Sequence, residues 1–148
     1  MKEINIDKVK YIVLHCTDTI CSAEYDVSRV RQWHLNRGFE DIGYHYLIMP
    51  DGEIQLGRDL KYEGAHCIGY NNKSIGIAYV GGRDSNYVYA DTRTFNQKIS
   101  MAYIMSYLIK LFPIEHIIGH CDVTVKRCPC FDAKYEFRNF IANIRSNL

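Results

Sequence analysis

Apolar and polar residues fall into blocks along this chain, and the period of each block points to a different element. From Val9 to His15 the run VKYIVLH is largely apolar and β-branched, which predicts a buried strand ending on a histidine. Asp26 or Ser28 is then placed to cap a helix carrying Val30, Trp33 and Leu35, closed near Gly38 by a left-handed residue. Residues 43 to 57, GYHYLIMPDGEIQLG, predict a β-hairpin turning at Asp51 and Gly52. A further strand, SIGIAYV, spans Ser74 to Val80. From Thr92 or Thr94 the spacing becomes helical, with Phe95, Ile99, Ala102, Met105, Leu108 and Phe112 three or four apart until Pro113 stops the pattern. A strand from Ile114 to Ile118, a loop from Gly119 to Cys130 and a closing helix capped by Asp132 complete the series, the helix turning Phe137, Phe140, Ile141 and Ile144 inward.

Strands and helices alternate, so the expected fold class is α/β, with a central mixed β-sheet flanked by helices. The 148 residues carry no repeat, no low-complexity tract and only three prolines, which predicts one domain over 1–148. Charge changes this picture little. The 18 Lys and Arg nearly balance 17 Asp and Glu, leaving no field of one sign to favour nucleic acid or an anionic membrane. The first apolar run, Tyr11 to Leu14, is too short for a signal-peptide core or a membrane span, so cytoplasmic synthesis without a signal peptide is expected.

Candidate chemistry lies in the loop after the last strand, GHCDVTVKRCPCFD, where His120 and Cys128 stand eight residues apart with Lys126 between them. With His15, these make two imidazoles and one thiolate, a set suited to zinc that leaves a fourth position open. Spacing alone does not decide this, because a histidine closing a strand usually serves a hydrogen bond, and no second CxxC or HxxxH pair accompanies it. The chain also has six cysteines, Cys16, Cys21, Cys67, Cys121, Cys128 and Cys130, and Cys130 is an alternative third ligand. Alternation along a strand places Tyr44 and Tyr46 on one face and His45 on the other, making His45 structural.

The segments YIVLHCTDT, WHLNRGFEDIGYHYLIMPDGEIQLGRD, GAHCIGYNNKSIGIAYVGG and GHCDVTVKRCPCFD resemble, in order and spacing, the type 2 N-acetylmuramoyl-L-alanine amidases, which include bacteriophage lysozyme-type amidases and animal peptidoglycan recognition proteins. The resemblance runs from about Tyr11 to Asp132. It implies a zinc ion held by His15, His120 and Cys128, an active-site tyrosine at Tyr44, a catalytic lysine at Lys126 and a groove histidine, His66, in contact with substrate. It also implies hydrolysis of the amide between N-acetylmuramic acid and L-alanine, with peptidoglycan or muropeptides as partner. Asn71, Asn72 and Lys73 are open to either sugar contact or turn formation. Trp33 and Arg37 stay outside the expected site.

The rival expectation is a non-catalytic peptidoglycan-binding module, which the cysteine at position 128 argues against. The expected enzyme is a monomer, acting on the wall after release or on muropeptides inside the cell. The chain stops soon after the closing helix, so targeting is expected from the cleft or from a partner.

Overall fold

The computed structural model describes residues 1–148. Its first long strand, β1 (Tyr11–Cys16), is buried over nearly its whole length, as its β-branched run requires. A two-residue strand β2 (Thr19–Ile20) follows, then helix α1 (Val27–Asn36). Asp26 caps α1, its carboxylate accepting from Arg29 N–H at 2.9 Å, and Gly38 takes the left-handed conformation (φ 90°) just beyond the helix. The hairpin is formed by β3 (Tyr46–Ile48) and β4 (Ile54–Leu56), with Gly52 at positive φ in the turn. Strand β5 (Ser74–Tyr79) is wholly buried, β6 (Gly82–Arg83) pairs with β2, and β7 (His116–Gly119) comes after the long helix α2 (Phe95–Leu111). The chain ends in α3 (Ala133–Glu136) and α4 (Phe140–Ser146).

The main sheet has the order β4-β3-β5-β1-β7. Strands β3, β5, β1 and β7 are parallel, and β4 is the antiparallel edge, so the sheet is mixed as expected. Side-chain alternation divides it into two faces. Ile12, Leu14, Ile75, Ile77 and Tyr79 meet Met101, Ile104, Met105 and Leu108 of α2 in the larger core. On the opposite face Leu47, Ala78 and Val80 pack against Val30 of α1, and Val13 joins a small cluster with Cys67 and Ile118. No helix is long and apolar enough to cross a membrane.

Three expectations need correction. The inward face of α2 matches the expected stripe only in its second half: Met105, Leu108 and Phe112 are buried, but Phe95 is 78% and Ile99 53% exposed. The buried set is Gln97, Met101, Ile104, Met105, Leu108 and Ile109. This helix is apolar on several sides, so spacing alone allows two stripes. The choice between them is fixed by Gln97, whose amide donates to the carbonyls of Ile48 at 3.1 Å and Val80 at 3.0 Å, closing the ends of β3 and β5. Thr94, not Thr92, is the cap, in a reciprocal capping box with Gln97.

The closing helix is two helices. Around residues 137 to 139 the chain tightens to i→i−3 bonds, Arg138 N–H to Tyr135 O and Phe140 N–H to Phe137 O. Phe137, Phe140, Ile141 and Ile144 nevertheless pack on the main core.

The third correction concerns Tyr44. Regular strand geometry begins only at Tyr46, and Gly57 and Arg58 donate to the successive carbonyls of His45 and Tyr44, where a regular ladder would bond only alternate residues. Tyr46 therefore joins the α2 core, whereas Tyr44 packs on the α1 side. The two tyrosines lie on opposite faces.

Candidate metal centre and cleft

Position 15 points to the α1 face near the carboxyl end of β1, where α1 covers the β3 side of the sheet and leaves a cleft over β1. Leu14 is in register with Gly119 on β7, so His15 and His120 follow at the carboxyl ends of adjacent parallel strands, the usual place for a ligand in an open α/β sheet. Their rings lie 4.6 Å apart between centroids. Cys128 arrives on the loop that folds back over these strand ends. That loop is pinned by Cys121 N–H to Cys128 O at 2.7 Å and by the buried Tyr79 hydroxyl donating to Pro129 O at 2.7 Å.

One donor atom each from His15, His120 and Cys128 falls within 4.8 Å of the others. The Cys128 Sγ is 3.7 Å from His15 Nδ1, close to the ~3.6 Å edge that tetrahedral zinc–nitrogen and zinc–sulfur bonds define. Burial, followed by the positive potential of His66, His120 and Lys126, holds the His15 imidazole well below its ordinary pKa. His120 is lowered by burial and by Lys126. Both rings are thus neutral at neutral pH, with lone pairs available for a metal. Cys16 N–H donates to Cys128 Sγ at 3.2 Å, which holds the sulfur beside the two rings. The residues present fit zinc.

Cys130 turns elsewhere. Its thiol donates to Gly82 O at 3.4 Å, and burial, with the Cys16 thiol next, pushes its pKa up to about 12. All six cysteines are unbridged.

The cleft beside this cluster has a volume of about 250 Å³ and is lined by every sequence-derived candidate: His15, Tyr44, His66, His120, Lys126 and Cys128. The Tyr44 ring lies 5.1 Å from that of His15, and burial raises its phenol pKa, so the O–H is kept as a donor. Lys126 is exposed on the loop, near enough to depress both ligand histidines. His66 is buried with its ring over Gly76 and its Nδ1 2.8 Å from His15 Nε2. His45 is structural: its Nε2–H faces Tyr62 O at 2.9 Å and its Nδ1 accepts from Gly76 N–H at 3.1 Å.

The cleft also takes in residues that sequence reasoning set aside or missed. Trp33 and Arg37 line it, and so do His34 and Phe39. The signal was present in α1, because positions 30, 33, 34 and 37 share one helical face. Asn71 acts in turn formation, its Oδ1 accepting from His66 N–H and Cys67 N–H, both at 2.9 Å. Lys73 stacks over Tyr70 at 4.5 Å rather than entering the cleft.

Comparison with known proteins gives a consistent result. A family model described as N-acetylmuramoyl-L-alanine amidase matches residues 5–131. The chain is 37% identical over 123 residues to an endolysin of Enterobacteria phage T3, covering 83% of this chain and 82% of that protein. Among solved structures, the endolysin N-acetylmuramoyl-L-alanine amidase LysCS from Clostridium intestinale URNW superposes with a TM-score of 0.79 at 26% identity, over 97% of this chain and 89% of that one. A Drosophila peptidoglycan recognition protein, PGRP-LB, in complex with tracheal cytotoxin shares the fold, with a TM-score of 0.76 at 23% identity over 92% of this chain and 83% of that one.

Proposed function

The chain belongs to the N-acetylmuramoyl-L-alanine amidase family, and we propose on that premise that it hydrolyses the amide between N-acetylmuramic acid and L-alanine in peptidoglycan or muropeptides, using one zinc ion held by His15, His120 and Cys128. The observation that carries this reading is the convergence of those three donors within 4.8 Å, beside Tyr44 and Lys126 in one cleft. Three ligands leave the fourth position for chemistry. When bound, zinc supplies Lewis acidity toward the scissile carbonyl and the attacking water.

The chain's own groups do the rest. Tyr44 keeps its proton and is a hydrogen-bond donor in a buried setting, where a donor aimed at developing oxyanion charge is strongest. Lys126 adds a positive charge at the cleft mouth and is a source of the proton that the leaving α-amine needs. Trp33 and Phe39 offer flat apolar walls to a sugar ring or stem peptide. Residues 1–148 act as one catalytic domain and as a monomer, on the wall after release or on muropeptides within the cell.

The test is digestion of purified peptidoglycan and soluble muropeptides by the zinc-loaded protein, with products identified by mass spectrometry. Glycan freed of intact stem peptides is expected. Wall binding without cleavage would replace the enzyme reading with a recognition module.

A further inference from the structure

His66 lies in the cleft, yet neither nitrogen of its ring is free for a substrate. Nδ1 is 2.8 Å from His15 Nε2, and Nε2 is 3.3 Å from Ser74 Oγ. The direction of this chain can be worked out from its far end. Ser74, fully buried at the start of β5, has a single hydroxyl proton, and its 2.7 Å bond to Tyr70 O uses it. Ser74 Oγ can then only accept from His66, which places the proton of the His66 ring on Nε2 and leaves a lone pair on Nδ1. That lone pair accepts from His15 Nε2–H. His15 is left with its free lone pair on Nδ1, the atom 3.7 Å from Cys128 Sγ in the donor cluster.

The geometry of His66 is held from both sides. Its backbone N–H is clamped by Asn71 Oδ1 at 2.9 Å, and its ring rests on Gly76, where a Cβ would come within 2.6 Å of it. A ring so fixed can impose a tautomer on its neighbour, because outer partners of this kind orient metal-binding imidazoles and raise their basicity.

We propose that His66 is a positioning residue for the metal centre: it accepts from His15 Nε2–H so that His15 presents Nδ1 to the ion, and Ser74 sets the direction of the chain. This replaces substrate contact as its role and rests on the zinc reading above.

The test uses the full chain and two readouts. In the metal-free protein, imidazole ¹⁵N shifts should report the Nε2–H tautomer for both His15 and His66. In competition with a chromophoric chelator, His66→Ala should weaken zinc binding about 10- to 100-fold. His66→Gln, which restores an acceptor, should recover most of that loss, and Ser74→Ala should weaken binding by a smaller factor. With zinc saturating, KM for a muropeptide should stay close to that of the unaltered protein.

An Nδ1–H tautomer on His15, or zinc affinity in His66→Ala within about twofold of the unaltered protein, would overturn the proposal. So would a raised KM with unchanged zinc affinity, the result expected of a substrate contact. If His66→Ala fails to fold, the tautomers of the unaltered protein and the Ser74→Ala titration decide. Failure of the unaltered protein to take up zinc would overturn the metal reading itself, a result distinct from altered affinity in the variants.

Discussion

The His66 ring occupies the space a side chain on residue 76 would need: a Cβ on Gly76 would sit 2.6 Å from its Cδ2 and Cγ and 2.8 Å from its Nδ1. Gly76 cannot retreat, because it lies inside β5 with its N–H bonded to His45 Nδ1 and its carbonyl to His45 N–H. Gly76→Ala is therefore expected to displace the ring. The cost should be about 1–3 kcal/mol of stability, the range for overpacking a well-filled interior. Urea unfolding of the metal-free protein and a zinc titration check this. Unchanged values for both would mean that the ring has another place to go.

Cysteines 128 and 130 are expected to behave oppositely. Cys128→Ser should abolish tight zinc binding and amidase activity, since its Sγ stands in the donor cluster. Cys130→Ser should keep both, because that thiol bonds to Gly82 O instead. Zinc stoichiometry by elemental analysis after dialysis distinguishes them, and a reversed result would reassign the third ligand.

Stability of the metal-free protein should fall as the medium is acidified from pH 6.5 toward 4. His34 accepts from Gly43 N–H at 2.8 Å, and burial, followed by Arg37 and Arg58, lowers its pKa to about 4. Burial likewise brings His45 to about 4. With folded values below the unfolded ~6.5, the unfolded chain takes up protons first. The stability from keeping these rings neutral is complete above pH 6.5 and declines by up to about 1.4 kcal/mol per pH unit for each ring. Urea midpoints at pH 7.5, 6 and 5 measure it, and a flat series would contradict it.

The two stripes of α2 should separate cleanly by mutation. Met101→Ala and Ile104→Ala remove buried side chains and are expected to cost about 2–5 kcal/mol each. Phe95→Ser and Ile99→Ser lie on the exposed side and should change stability by no more than about 0.5 kcal/mol. Thermal unfolding of the four variants decides between the stripes.

Much of this was legible in the chain. Strand and helix periods place β1, α1, the hairpin, β5 and α2 in order, because burying one face of each element leaves a regular mark. The donors His15, His120 and Cys128 were legible as residue types, and the family resemblance joined them. Tyr44 was found by resemblance while strand alternation gave it the wrong partner, since regular strand begins only at Tyr46 and the period does not reach back to it. The bonding of His66 was not legible. It depends on Ser74 and Gly76 meeting a loop residue from outside β5, and no local pattern records that meeting.

His15 and His120 sit at the ends of neighbouring parallel strands, where the sheet itself spaces them; adjacent strands run ~4.8 Å apart, and the rings are 4.6 Å apart. Two of the three donors are thus a by-product of strand order, present whenever the sheet forms. The third donor rides on a loop that pairs with nothing in the sheet ladder. If the ion is held as proposed, one substitution at Cys128 is expected to remove a donor while leaving the sheet, the cleft and its walls in place, so that binding of cell wall outlasts its cutting.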